Sequence, residues 1–446
     1  MQLQKNIVSF VFMILINRQF FKYYFLVIVL IFCGYVQKNN LQAQSIFKEM
    51  TSFPFEDTVN TVQTFIYFPT GDTTVYDNLF KKFDKLVFEG EGTINILHIG
   101  GSHIQAGTLS HQIRTNLLST FPGLTGSRGM IFPFSAAKTN NPNNYRTTKT
   151  GTWEICKNIS KAPEYPLGLT GMCIATSDTD ATIEIKLRNN DNIAYDFNKV
   201  YVLGHCSSEN IRVMLQIQDS TVIEGIYDST KLAYSFDLGL YAETFKLFFE
   251  KKEFSEDTFY LRGFYLDNGL SGISYTDIGV NGANVSSYLK CSYLENDLEF
   301  VNPDLCILSI GINDASMTSF DTVLFQRNYK ELIRRIRHKY PDCAILFTTN
   351  NDSFRKVGKK YYNNENGLLA QQAFYSLAAY YNAGVWDLFT FMGGLNSMKK
   401  WEEKGLAQRD KIHFTPQGYS LIGDMIYNAL ISEYIKYLTN NIHGLE

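Results

Sequence analysis

Ile94-Asn95-Ile96-Leu97-His98-Ile99-Gly100-Gly101-Ser102-His103 is the stretch that decides the fold. Its apolar residues run on without alternation, which predicts a strand buried on both faces, the habit of a parallel sheet. The glycine pair lets the backbone turn sharply, and a helix is expected to follow from about Gln105 to Leu118. The same grammar returns nearer the C-terminus. Ile273 to Val280 reads as a strand, and a helix starts at Asn284 to Leu289. Leu305 to Ile310 is the most apolar strand, and the amphipathic helix Asp321 to His338 follows with Asp321 as a good N-cap. Ala344 to Thr348 (strand), Gly367 to Tyr381 (helix), Gly384 to Leu388 (short strand) and Pro416 to Tyr437 (helix, Pro in its first turn) complete the series. Strands alternating with helices imply a parallel sheet covered on both sides. His98, inside the first strand, reads as a core histidine.

Between 148 and 270 the pattern changes. Ala181 to Leu187, Lys199 to Leu203, Ile211 to Ile217, Ala233 to Leu238 and Thr258 to Leu266 favour strands. Turn-rich segments such as Asn189-Asn190-Asp191-Asn192 separate them, which suggests a β-sandwich inserted into the α/β domain. The chain then divides into a leader (1–44), an N-terminal extension (45–92), a first α/β part (93–147), the insert (148–270) and a second α/β part (271–440). Within the extension, Val75 to Val87 has helical apolar spacing and is expected to pack on the domain behind it.

Composition narrows the function classes. The chain has 446 residues, 41 cations and 44 acids. The first 44 residues hold Lys5, Arg18, Lys22 and Lys38 and no acid, so the remainder carries 37 cations against 44 acids, about −7. No basic face offsets that excess, which argues against a nucleic-acid partner. The cluster Arg334, Arg335, Arg337, His338 and Lys339 falls late in a predicted helix, where it favours the helix C-terminus. The apolar run Phe25 to Val36 has the length of a signal-peptide core, with Leu41-Gln42-Ala43 as a cleavage segment. An exported, periplasmic, cell-surface or secreted chain is expected, its leader either cleaved or kept as a membrane anchor. Six cysteines follow the leader, without metal-type spacing. Cys306 and Cys343 read as core thiols, and the pairing of the others is not given by sequence.

Four segments carry candidate chemistry. Ser102 stands just past a buried strand end, where open α/β sheets place ligands. Asp410-Lys411-Ile412-His413 puts a carboxylate and an imidazole three apart on a loop, a spacing that lets them pair. Asn313, in Gly311-Ile312-Asn313-Asp314, follows the most apolar strand, where its amide can donate to a developing oxyanion. Gly282 follows another strand and offers an unobstructed N–H. Each segment alone is equally an ordinary turn or cap.

Together, in the order serine, glycine, asparagine, Asp-x-x-His, they resemble the GDSL/SGNH hydrolase family over residues about 94–147 and 270–438. The resemblance implies a flavodoxin-like three-layer α/β/α fold with a parallel sheet, and a serine carboxylic-ester hydrolase. It implies Ser102 as nucleophile, His413 as base and Asp410 orienting it. Ser102 N, Gly282 N and the Asn313 side chain would form the oxyanion hole. Gly101 departs from the family's Gly-Asp-Ser, and Asp314 is a candidate to supply the missing bonds. The arrangement is also similar to bacterial polysaccharide and peptidoglycan O-acetylesterases that carry a carbohydrate-binding-like sandwich. Arg128, Asn140 and Asn141, between the first helix and the insert, then offer donors to sugar hydroxyls. The expectation is an acetylesterase of an extracellular glycan, needing no metal or organic cofactor. An O-acyltransferase on the same triad and a catalytically silent glycan-binding protein are the alternatives. Trp153, Trp386 and Trp401 read as packing residues.

Overall fold

The structure, a computed structural model, describes residues 64–443 apart from 121–123, 189–192, 194, 219–220 and 252–255. The leader, with Leu41-Gln42-Ala43, and the Asn189 to Asn192 turn lie outside the described residues. Asp57–Tyr434 forms one compact unit; the chain from Ile435 groups separately, and its described part is the closing turns of the last helix.

Among the described residues, six parallel strands form the central sheet: β1 (Thr93–Gly100), β2 (Thr125–Ser127), β3 (Gly272–Gly279), β4 (Leu305–Ser309), β5 (Ala344–Thr348) and β6 (Gly384–Trp386). Their order is β2-β3-β1-β4-β5-β6. The unbroken apolar runs are buried on both faces, with Ile96, Leu97, Ile99 and Leu305 to Leu308 fully enclosed. On one side, the helices Thr322–Lys339 and Asn366–Tyr381 close over the sheet through Phe325, Tyr329, Phe347 and Phe374, with ring centroids 5.1–6.0 Å apart. Elsewhere the helix Thr108–Thr120 meets the last helix so closely that a side chain at Gly423 would collide with Gln112. This is the expected three-layer α/β/α arrangement. Asp321 caps its helix by accepting from Val323 N and Leu324 N.

The first helix differs from expectation. It opens at Ser102, runs only to Gln105, and resumes at Thr108. Gly107 breaks it with φ +75°, and a Cβ there would lie 2.4 Å from Pro142. Between the first helix and the insert, the chain forms two short strands. Thr125–Ser127 joins the parallel sheet as β2, and Gly129–Ile131 pairs with Phe264 to Leu266 of the insert. At the far edge, Tyr67 bridges Val385 of β6 antiparallel, a contact too short to leave a sequence pattern.

Among the described residues, the insert builds two antiparallel sheets, one of five strands and one of six to which Gly129–Ile131 adds a seventh. Phe245 and Phe249 of one meet Phe197, Phe264 and Phe259 of the other at 4.7–5.7 Å. The insert is bonded to the α/β layer by a fully buried pair, Arg262 Nη2 to Asp297 Oδ1 at 3.0 Å. In the extension, the helix Asp77–Asp84 buries Leu79, Phe80 and Phe83, with Phe80 and Phe83 against Tyr434. The six described cysteines are free thiols, and Cys156 faces Cys173 across neighbouring strands.

Candidate active site

Strand register builds the site. Gly100 of β1, Gly279 of β3 and Ser309 of β4 stand in one row at the C-terminal edge of the sheet. Ser102, Gly282 and Asn313 follow those ends by two to four residues, so segments 180–210 residues apart in sequence are delivered to one edge. Behind them, His98 spans Tyr275 Oη (2.8 Å) and Ser309 Oγ (2.6 Å). Burial pushes its pKa down to about 3, so it is a neutral core residue.

Ser102 Oγ lies 2.8 Å from His413 Nε2, and His413 Nδ1 lies 2.7 Å from Asp410 Oδ2. The Asp410 carboxylate also accepts from Ile412 N and His413 N, each at 3.0 Å. Burial alone would push its pKa up, but the bonds from His413 and Ile412 outweigh burial and hold it below the ordinary value. A carboxylate so placed fixes the proton on Nδ1 and leaves Nε2 as an acceptor facing the serine.

The loop carrying this pair is pinned by the segment that follows β5 and by a bond within the loop itself. Asn351 Nδ2 donates to Ile412 O (3.0 Å), Phe354 N to Lys411 O (3.1 Å) and Gln408 N to His413 O (2.8 Å). Asn351 was not singled out in the sequence; the cue is the polar run Thr348 to Ser353, buried throughout directly after a strand. His103 packs 5.2 Å from the His413 ring and bonds Tyr419 Oη at 2.8 Å. Burial, then the His413 charge, bring its pKa down to about 3, so it stands beside His413 as a neutral neighbour.

On the opposite side, Gly282 has φ +82° with open space beside its Cα. The Ser102 amide opens a helical turn, where N–H groups have no partner within the helix. Asn313 Nδ2 donates to Ala283 O at 2.8 Å, which fixes the amide and leaves its second hydrogen for a ligand. The suggestion that Asp314 replaces the family's aspartate is corrected: its Oδ2 accepts from Val285 N, at the start of the earlier helix Val285–Leu289. Orientation of Asn313 comes from the Ala283 carbonyl instead. A Cβ at Gly101 would sit 3.5 Å from both Ala283 O and Asn313 Nδ2, so the glycine is not forced by crowding. If Asn313 donates to the oxyanion, Asn313→Ala lowers turnover by about 10²–10³-fold with little change in KM, measurable by steady-state kinetics on an ester.

The three candidate sugar contacts separate. Arg128 is 2% exposed, with Nη1 2.9 Å from Asp277 Oδ1 and its guanidinium 5.3 Å from the Tyr145 ring centroid. It is a buried structural cation, which overturns its assignment to substrate. Asn141 Oδ1 accepts from Thr147 Oγ1 at 2.9 Å. Asn140 is exposed and its Oδ1 accepts from Asn281 Nδ2, next to Gly282, at 2.8 Å. Trp153, Trp386 and Trp401 are buried, in keeping with packing.

Gln105, three residues after the serine, is a second residue that sequence reasoning missed. Its Oε1 accepts from Asn281 N (2.7 Å), while Nε2 donates to Thr139 Oγ1 and to Asn140 O and Oδ1 (2.9–3.2 Å). One buried side chain therefore ties the Ser102 turn to the Gly282 loop and to the Thr139-Asn140 loop beside it. Gln105→Leu strands the Asn281 N–H, so a loss of about 1–3 kcal/mol in chemical denaturation is expected. Turnover should fall about tenfold or more, because small misplacements of catalytic groups are expensive. Among the described residues, no cluster of His, Cys, Asp and Glu is arranged to hold a metal ion.

Comparison with known proteins bears on this geometry. Residues 261–421 match the GDSL-like Lipase/Acylhydrolase family. That stretch contains Gly282, Asn313, Asp410 and His413, whereas Ser102 lies before the insert and outside it. A solved structure entitled "Peptidoglycan O-acetylesterase in action, 5 min" superposes with a TM-score of 0.67 at 20% identity, covering 83% of this chain and 99% of that one. The acetyl xylan esterase AlAXEase aligns over 36% of this chain and 81% of its own, at 21% identity and a TM-score of 0.29. A putative GDSL-like lipase from Parabacteroides merdae aligns over 36% and 72%, at 17% identity and a TM-score of 0.28. No curated protein matches significantly. The match over residues 261–421 supports a carboxylic-ester hydrolase, and the superposition shows that the α/β architecture with its insert is a fold shared with the O-acetylesterase structure.

Proposed function

We propose that this chain is an exported serine esterase that removes O-acetyl groups from a cell-wall or extracellular polysaccharide. The observation that carries the reading is the continuous relay from Asp410 Oδ2 through His413 to Ser102 Oγ, with bonds of 2.7 and 2.8 Å. Ser102 Oγ attacks the ester carbonyl while His413 Nε2 takes its proton. The oxyanion is received by Ser102 N, Gly282 N and Asn313 Nδ2. His413 returns the proton to the departing sugar hydroxyl, leaving an acetyl group on Ser102. Water, deprotonated by His413, then releases acetate and restores the serine. The inserted sandwich and the fold shared with a peptidoglycan O-acetylesterase support a glycan as the alcohol. Exposed Asn140, next to Asn281 and Gly282, is the polar group placed to meet it.

Acetate release from a panel of O-acetylated glycans, beside p-nitrophenyl acetate, tests this in wild type, Ser102→Ala and His413→Ala. Release by wild type alone supports the triad. Acetyl transfer to added glycan with little free acetate would instead favour the acyltransferase. Binding without turnover would favour the silent binding protein.

A further inference from the structure

Directly after β5, residues 354–357 and 360–363 form a two-stranded antiparallel hairpin. It carries Arg355, Lys356, Lys359 and Lys360 and no acid, in a chain where acids outnumber cations 44 to 41. The hairpin is tied to the catalytic loop: Phe354 N donates to Lys411 O at 3.1 Å, two residues from His413. At its base, Asn363 Nδ2 donates to Asp352 Oδ1 at 2.9 Å. Two more cations lean on its rings, Lys399 Nζ at 5.4 Å from the Phe354 centroid and Lys411 Nζ at 5.7 Å from those of Phe354 and Tyr361. Among the described residues, Lys411 alone of these six has a carboxylate partner, Glu402. Tyr362 is 53% exposed on the hairpin's other face, beside Arg355.

Like charges gathered on a short hairpin repel one another and have no internal carboxylates to offset them, so a fixed cationic rim favours an anionic ligand. Exposed tyrosine between cations adds an aromatic face on which a sugar ring can pack. We propose that the hairpin Phe354 to Asn363 is a subsite for a carboxylate-bearing glycan, so that the ester removed at Ser102 sits on an acidic polysaccharide. This rests on the esterase reading above and adds the charge of its substrate.

The test uses the full chain carrying Ser102→Ala, which retains the subsite without consuming ligand. Titration calorimetry compares an O-acetylated polyuronate oligosaccharide with the same oligosaccharide whose carboxyls are converted to neutral amides. The carboxylate form is expected to bind about tenfold tighter or more, since each exposed ion pair adds a modest increment. Raising the salt from 50 mM to about 1 M should erase that advantage as the Debye length shrinks. Adding Lys356→Gln, Lys359→Gln and Lys360→Gln should remove it. Adding Lys149→Gln, Lys186→Gln and Lys246→Gln on the sandwich, the same change in net charge, should not. The single Lys359→Glu at the exposed tip is a second variant should the triple one fold poorly. Equal binding of the two oligosaccharides, or equal loss in both triple variants, overturns the subsite. Acetate release by wild type is read separately: selective binding without release sinks the esterase reading alone, and release without selectivity sinks the subsite alone.

Discussion

Ser102→Ala is expected to lower ester turnover by about 10⁴–10⁶-fold, because triad members act as a unit and loss of the nucleophile removes nearly all of their joint effect. The residual rate would come from the oxyanion donors, which the substitution leaves in place. Stability should change by no more than about 1 kcal/mol, since one half-exposed hydrogen bond is lost. The pairing of a large kinetic loss with an unchanged melting temperature is what separates a catalytic serine from a turn residue. Asp410→Asn should also cost about 10⁴-fold, because an amide no longer holds the His413 tautomer. Steady-state kinetics and thermal unfolding of the same preparations decide both.

Asp277→Ala is the expected extreme in stability, a loss of about 3–5 kcal/mol in chemical denaturation. Its carboxylate sits between two buried guanidinia, Arg114 Nη2 at 3.0 Å and Arg128 Nη1 at 2.9 Å, and accepts from Ser110 Oγ at 2.5 Å. Removing it leaves two enclosed cations facing each other. Burial alone would push the Asp277 carboxyl up, but the Arg128 and Arg114 charges more than reverse this and bring it to about 2. Among its partners, Arg114 is raised while Arg128, whose burial is less fully offset, is lowered; both guanidinia stay charged at neutral pH. A carboxyl whose folded pKa lies below its unfolded value contributes stability that is complete above about pH 4 and lost as pH falls towards 2. The difference between wild type and Asp277→Ala should therefore be constant at neutral pH and narrow in that acid window. A flat difference down to pH 2 would contradict the charge account.

Much of the fold was legible because the signal was local. β1, β4 and β5 are runs that no polar residue interrupts for long, and such runs have few homes other than the centre of a parallel sheet. Aromatic and β-branched residues between turn-rich segments announced the sandwich in the same way. What stayed hidden depended on approach between distant segments. The break at Gly107 comes from Pro142 crossing the helix, and the one-residue bridge of Tyr67 to Val385 has no periodicity to read.

The site divides along the same line. Ser102, Gly282, Asn313, Asp410 and His413 could be ranked because each follows a strand or lies just ahead of a helix; strand register brings the first three to one edge, and the loop bonds from Asn351 and Phe354 hold the last two. Arg128 was misplaced because the sequence shows a charged residue in a polar segment but not the Asp277 beneath it. Gln105 and Asn351 were overlooked because their task is to bond backbone in other loops, and an amide side chain carries no mark of that use.

The central claim is that Ser102 carries the acyl group. Rapid mixing of wild type with p-nitrophenyl acetate, acid quench and peptide mass spectrometry tests it most directly. The account predicts one added acetyl group on the peptide containing Ser102, appearing within a turnover and absent from His413→Ala. Acetate release with no acetyl on Ser102, or with the acetyl on another residue, would contradict it.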